Sequence, residues 1–293
     1  MDRRQFVAGA ALGAGVTIAG VASSRARRPG RDPEPRGTAA FRHSVCRWPF
    51  AQMSVDALAR AARELDMHSV ELLEPDEWPI VKQHGLVCAV GYATVPDPGT
   101  RLTEGWNRPS NHAWLVPAYQ QAIPLAAAAG VPNLICFSGN RNGLSDEEGL
   151  ENCARGLERV MADAERHQVT VVMELLNSKV DHRDYQCDRT PWGAALVRRV
   201  GSERFRLLYD IYHMQIMEGD VIRTIQDNRA SIAHFHTAGV PGRHEIDDGQ
   251  ELNYPAIMRA IAATGFEGFV AQEFIPTRDP LESLAEAVRL CRV

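Results

Sequence analysis

Four short apolar runs in the second half of the chain each close on a residue able to bind a metal ion. Val171-Val172-Met173 ends in Glu174, Leu207-Leu208-Tyr209 in Asp210, Ile232-Ala233-His234-Phe235 in His236, and Phe269-Val270-Ala271-Gln272 in Glu273. Removing an unpaired anion from water is costly, so three carboxylates gathered at strand ends need protons or a cation. One divalent ion meets that need. Three carboxylate oxygens and one imidazole nitrogen suit Mn²⁺ or Mg²⁺ best, with Co²⁺ and Zn²⁺ as further options. The residues alone also allow an ion-pair network in which Arg243 and other loop cations neutralise the acids.

Further polar groups lie close by in sequence. His213 follows Asp210 by one helical turn, and Arg243 and His244 follow His236, so both loops could reach a substrate. A lone histidine is otherwise a hydrogen-bonded structural residue, and a loop arginine is otherwise solvated. Glu71, in Val70-Glu71-Leu72-Leu73, is a strand-end acid whose partner the sequence does not fix. His43 and His234 fall within strands and point to the barrel interior, His234 as a core residue or a support for the acids. Trp48, Trp106 and the polar turn Phe137 to Gly143 either wall a pocket or simply pack and turn the chain.

These residues need a scaffold that brings strand ends together. Eight apolar runs recur: Phe41–Cys46, Ser69–Leu73, Leu86–Val90, Asn133–Phe137, Thr170–Leu175, Phe205–Tyr209, Ile232–Phe235 and Gly268–Ala271. Each is too short for a helix and reads as a parallel strand buried on both faces. Helix punctuation lies between them. Ser54 precedes Val55, Leu58, Ala62 and Leu65; Ser145 with Glu148 makes a capping box; Thr190-Pro191 and Asp279-Pro280 each read as a cap before a first-turn proline; Gly201 and Gly265 supply stops. Alternation of strand and helix predicts an α/β fold, and residues 38–293 have the size of a single (β/α)₈ TIM barrel, whose active sites lie at the strands' C-terminal ends. No GxGxxG or GxxxxGK[ST] follows the first strand, which argues against a nucleotide-binding open sheet. The Pro-, Gly- and Asn-rich stretch from Thr94 to His112 reads as a loop over the active face.

Composition narrows the classes. With 45% hydrophobic and 24% charged residues the chain is neither disordered nor fibrous. A formal net charge of −5 provides no basic field for nucleic acid. Six cysteines without a CxxC pair read as buried thiols. Residues 1–24 read as a twin-arginine signal peptide: Arg3-Arg4 precede a Gly- and Ala-rich apolar stretch too short and too weakly apolar for a stable membrane span. Residues 25–37, dense in Arg, Pro and Gly, read as a linker. The expectation is export, to the periplasm, and a cytoplasmic location if the leader is not a signal. The sequence leaves a homo-oligomer open.

The segments Cys136 to Arg141, Met173 to Ser178, Tyr209 to Gln215, Val240 to Glu245 and Gln272 to Phe274 together resemble the hydroxypyruvate isomerase-like branch of the xylose isomerase-like TIM barrels. The resemblance covers residue 41 to the C-terminus. It implies that Glu174, Asp210, His236 and Glu273 are metal ligands, that Glu174 and Glu273 form the catalytic proton-transfer pair, and that His213 and Arg243 are substrate-binding. One departure concerns the substrate: hydroxypyruvate isomerases often carry a Gln ligand where this chain has His236, as ketose 3-epimerases of the same superfamily do.

The implied chemistry is that of an isomerase of the intramolecular aldose-ketose type. A divalent ion polarises a carbonyl and its neighbouring hydroxyl, so that an adjacent C–H can be deprotonated to an enediolate. Return of the proton to the neighbouring carbon isomerises, as in hydroxypyruvate to 2-hydroxy-3-oxopropanoate; return to the other face epimerises. The partner is a small hydroxy-carbonyl or sugar substrate. The alternatives are a ketose 3-epimerase, a metal-dependent phosphodiesterase and a non-catalytic carbohydrate-binding barrel.

Overall fold

The computed structural model describes residues 40–293, so the expected signal peptide and linker lie outside the described residues. Eight parallel strands are built from the apolar runs: β1 Arg42–Cys46, β2 Ser69–Glu71, β3 Val90–Gly91, β4 Asn133–Cys136, β5 Thr170–Glu174, β6 Phe205–Asp210, β7 Ile232–Thr237 and β8 Phe269–Gln272. They are bonded in the order β2-β1-β8-β7-β6-β5-β4-β3. Only isolated bridges, Ser69 to Val87 and Leu73 to Gly91, join β2 to β3, so the barrel is nearly closed. β4 and β5 are buried along their whole length, as strands covered by helices on one side and filled with side chains on the other must be.

The third strand is shorter and later than the apolar run Leu86–Val90 predicts. The amide of Ala89 is taken by the Ser69 hydroxyl at 2.9 Å, and Leu72 turns into the left-handed region at φ 57°, where its amide reaches Val90 O. The first diverts an amide that a regular β2–β3 ladder would use, and the second ties the end of β2 to β3 from a left-handed residue that does not continue the strand. Leu72 is thereby displaced from the strand pattern and lines the barrel mouth.

Nine helices are described: α1 Val55–Glu64, α2 Trp78–Gln83, α3 His112–Ala129, α4 Asp146–His167, α5 Thr190–Val200, α6 Ile211–Met217, α7 Val221–Asn228, α8 Tyr254–Ala263 and α9 Pro280–Cys291. Ser54 caps α1, the Ser145/Glu148 capping box opens α4, and Asp279 accepts from Leu281 and Glu282 N–H at the start of α9. Gly201 closes α5 at φ 71°, a conformation that costs glycine little. Thr190 departs from expectation: Arg189 occupies the cap position, and the Thr190 amide and hydroxyl both donate to the Glu218 carboxylate instead. No helix among the described residues is long and apolar enough to cross a membrane. All six cysteines are free and buried.

The β3–α3 loop docks on the end of β4 through backbone bonds from Trp106 N to Phe137 O and from Asn107 N to Ser138 O. Gly105 makes that approach possible, because a Cβ there would collide with the backbone of Phe137 to Gly139. The loop therefore covers the C-terminal face of the barrel, where the strand-end acids emerge.

Candidate active site

Glu174 is the last residue of β5, Asp210 the last of β6, and Glu273 follows β8 directly, while His236 pairs with Asp210 in the β6–β7 register. One donor atom from each of the four lies within 4.8 Å of the others, and all four residues are buried. His236 Nδ1 stands 3.2 Å from Glu174 Oε1 and 2.6 Å from Glu273 Oε2, yet it has no hydrogen-bond partner. A buried imidazole nitrogen left without a partner and facing a ring of carboxylate oxygens is what a metal ligand requires. The four side chains can hold a single metal ion.

Burial and mutual repulsion separate the acids. Desolvation and the Glu273 charge push Glu174 up to about 7. Burial also opposes the Glu273 charge, but His236 and Arg243 outweigh it and hold that carboxyl well below the usual range. Asp210 is raised by burial, with Arg243 pulling the other way. For His236, burial disfavours the cation, and Cys46 and the facing Glu273 more than offset it, so the ring is shifted upward.

The sequence-indicated substrate residues join this cluster. Arg243 Nη2 donates to Asp210 Oδ2 at 2.9 Å and to Glu273 Oε2 at 2.5 Å, and its Nη1 lies 2.6 Å from His213 Nε2. On its other side His213 Nδ1 receives the Asn177 amide at 2.7 Å. The Asn177 orientation is set by its Oδ1, which accepts from the Val180 and Asp181 N–H groups. Burial and Arg243 drive the His213 pKa well down, so the ring is neutral and has one lone pair facing two donors.

A cavity of about 410 Å³ opens above the cluster. Of the four strand-end residues only Glu174 and Glu273 face it, together with His213 and Arg243. Trp48 walls it and donates Nε1 to Glu273 Oε1 at 2.6 Å. Trp106, the other wall candidate, is fully buried within the docked loop and does not line the cavity, and His244 is turned out to solvent beside Ile275 O. Phe137 lines the cavity, whereas the Ser138 and Asn140 backbones hold the docked loop.

Sequence reasoning missed Arg101, Tyr92 and Asn177. Arg101 stands over the Tyr92 ring at 4.2 Å from its centroid, within the loop expected to cover the active face, but no motif marks it. His182 stacks edge-on against His213 and also faces the cavity. Glu71 has found partners beneath the cluster: its Oε1 is 2.7 Å from His234 Nε2 and 3.0 Å from His236 Nε2. Burial opposes its charge, but His234 and His236 prevail and hold it down to about 2.

Residues 47–292 match the xylose isomerase-like TIM barrel family. A putative hydroxypyruvate isomerase of Homo sapiens is 28% identical over 257 residues, 85% of this chain and 84% of its own length. A 2-oxo-tetronate isomerase of Cupriavidus necator is 37% identical over 127 residues, 43% of this chain and 46% of its own length. Among solved structures, one described as an AP endonuclease, family 2, from Brucella melitensis superposes with a TM-score of 0.76 at 25% identity, covering 84% of this chain and 98% of that one. A 3-keto-D-glucoside 4-epimerase from E. coli shares the fold with a TM-score of 0.70 at 18% identity, covering 86% and 100%. With a match spanning nearly the whole barrel and the eight parallel strands in place, the chain belongs to the xylose isomerase-like TIM barrel family.

Proposed function

We propose that this protein is a divalent-metal-dependent isomerase that moves hydrogen between adjacent carbons of a small hydroxy-carbonyl acid through an enediolate, in the manner of a hydroxypyruvate isomerase. The observation that carries the reading is the convergence of Glu174, Asp210, His236 and Glu273 on one point, with only the two glutamates turned to the cavity. Relatives bearing the names hydroxypyruvate isomerase and 2-oxo-tetronate isomerase support the substrate class.

The four side chains would hold the ion, and their oxygen-rich set favours Mn²⁺ or Mg²⁺ over Co²⁺ or Zn²⁺. When bound, the ion supplies Lewis acidity that polarises the carbonyl and the neighbouring hydroxyl. Glu273, ionised, takes the C–H proton beside the carbonyl. Glu174, readily protonated, delivers one to the adjacent carbon, while the hydroxyl proton passes from one oxygen to the other. His213 and Arg243 hold the substrate oxygens and offset the enediolate charge.

A ketose 3-epimerase is the second reading, favoured by His236 and by cavity size. At about 410 Å³ the cavity falls in the ordinary size range of small-molecule sites and admits substrates larger than a three-carbon acid. The net charge of −5 disfavours a phosphodiesterase acting on a nucleic-acid backbone. NMR in D₂O with Mg²⁺, using hydroxypyruvate, pentuloses, hexuloses and inositol-type ketones, tests the reading. Deuterium should enter at the carbon beside the carbonyl of the true substrate, and no incorporation into any of them would overturn it. We also propose export by the twin-arginine route from Arg3-Arg4. Arg3→Lys with Arg4→Lys should retain the protein in the cytoplasm, and unchanged fractionation would refute export.

A further inference from the structure

The acid at the end of β2 takes no part in the reaction just outlined. Glu71 is fully buried, does not face the cavity, and lies under His236 on the side away from the other carboxylates. Three donors converge on its Oε1: His234 Nε2 at 2.7 Å, His236 Nε2 at 3.0 Å and the Cys46 thiol at 3.8 Å. Its Oε2 has no partner, so a proton there would be stranded, and the carboxylate offers acceptors only. Each facing histidine must then carry hydrogen on Nε2. A neutral ring protonated at Nε2 has its lone pair on Nδ1, and His236 Nδ1 is the atom turned toward Glu174 and Glu273. Cys46 Sγ, 3.6 Å from the same Nε2, is a weaker and more distant alternative acceptor.

We propose that Glu71 is a positioning residue for the metal-binding imidazole: it fixes the tautomer and ring orientation of His236, and His234 in turn pins Glu71. The inference rests on reading His236 as a metal ligand. β2 and β7 are not neighbours in the sheet, so the contact crosses the barrel interior, and no backbone ladder would hold the ring in its absence. Carboxylates that orient a ligating histidine typically govern metal affinity by about 10–100-fold.

The test is Mn²⁺ titration calorimetry of the wild-type chain, Glu71→Gln and His234→Gln, each first shown to be folded by circular dichroism. It is paired with two-bond ¹⁵N–¹H correlation of the His236 ring in the metal-free proteins, at a pH raised until the ring is neutral, because its pKa is shifted upward. Glu71→Gln should weaken Mn²⁺ binding by about 10–100-fold and populate a second ring tautomer. His234→Gln should move both readouts in the same direction by less. Wild-type protein that binds no Mn²⁺ would overturn the metal reading and this inference with it. Wild-type binding matched within twofold by a folded Glu71→Gln, with His236 still protonated at Nε2, would overturn this inference alone. If Glu71→Gln does not fold, unchanged affinity and tautomer in His234→Gln overturn it equally. Two Mn²⁺ per chain, the second lost in Glu71→Gln, would make Cys46, Glu71 and His236 a separate site and overturn it as well.

Discussion

The indole of Trp48 donates to Glu273 Oε1 at 2.6 Å, joining residues 225 positions apart across the seam where β1 meets β8. The other oxygen of the same carboxylate, Oε2, faces His236 Nδ1 and Arg243 Nη2. Glu273 is therefore held by the cavity wall through one oxygen and belongs to the donor cluster through the other. Glu273→Gln keeps an oxygen for a metal but removes the base. Turnover should fall by about 10²–10⁴-fold, the usual worth of a positioned proton-transfer group, while Mn²⁺ affinity falls less. Turnover and metal content measured on one sample decide it: a near-wild-type kcat with normal metal content would leave Glu273 a ligand and nothing more.

Stripping the metal should cost stability as well as activity. The cluster contains three buried carboxylates against His236 and Arg243, and a divalent ion bound only to the folded chain stabilises it by mass action. At a free metal concentration 100 times Kd, Tm should rise by roughly 5–10 °C above that of the chelated protein. Differential scanning calorimetry with and without EDTA, repeated on Asp210→Ala, reads this out. A chelator-induced drop that persists in full in the variant would place the stabilising ion elsewhere.

The four-residue cluster was legible because a strand that ends in an acid advertises itself within five residues, and the barrel brings all such ends to one face. What could not be read was who meets whom across the interior. Glu71 and His234 are 163 residues apart and on strands that do not pair, so no local periodicity relates them. The capping signal at Thr190-Pro191 was misread by one residue, because the partner that satisfies Thr190, Glu218, arrives from beyond α6. The β3 run looked regular because apolarity does not report that Ser69 takes the Ala89 amide. Arg101 and Asn177 lie in loops whose composition indicates a turn but not a direction.

Acid sensitivity should begin above the range where carboxylates titrate. His43, on β1, is buried and its Nδ1 has no partner; burial, with Arg292 and His68 nearby, lowers its pKa to about 4 from an ordinary 6.5. The folded ring resists a proton that the unfolded chain accepts. The His43 contribution to stability is therefore fully present above pH 6.5 and is lost as pH falls toward 4. His43→Asn cannot bind that proton. Urea midpoints of metal-free wild type and variant, compared at pH 7 and pH 4.5, should show a smaller drop for the variant, and equal drops would assign the sensitivity to other groups.

Arg101 is the cation best placed to choose between an acid and a neutral sugar. Its side chain is only 12% exposed, lines the cavity, and stands over the Tyr92 ring. Nη2 is committed to Glu74 Oε1 at 2.5 Å, but Nε is buried without a partner, so the guanidinium is only partly satisfied by the protein. Arg243, the other guanidinium at the cavity, also leaves its Nε without a partner, but its terminal nitrogens are already engaged by Asp210, Glu273 and His213. A substrate carboxylate would complete the Arg101 set with a charge-assisted hydrogen bond, typically worth about 1.5–3 kcal/mol. Arg101→Met keeps the stem against Tyr92 and removes the charge. KM for hydroxypyruvate or a longer 2-oxo acid should rise roughly 10–150-fold with a smaller change in kcat, and KM for a neutral pentulose should stay within a few fold. Steady-state kinetics on both substrate types separate the possibilities. An equal rise for acid and neutral substrates would reduce Arg101 to a support for its loop, and no rise for either would remove it from substrate recognition.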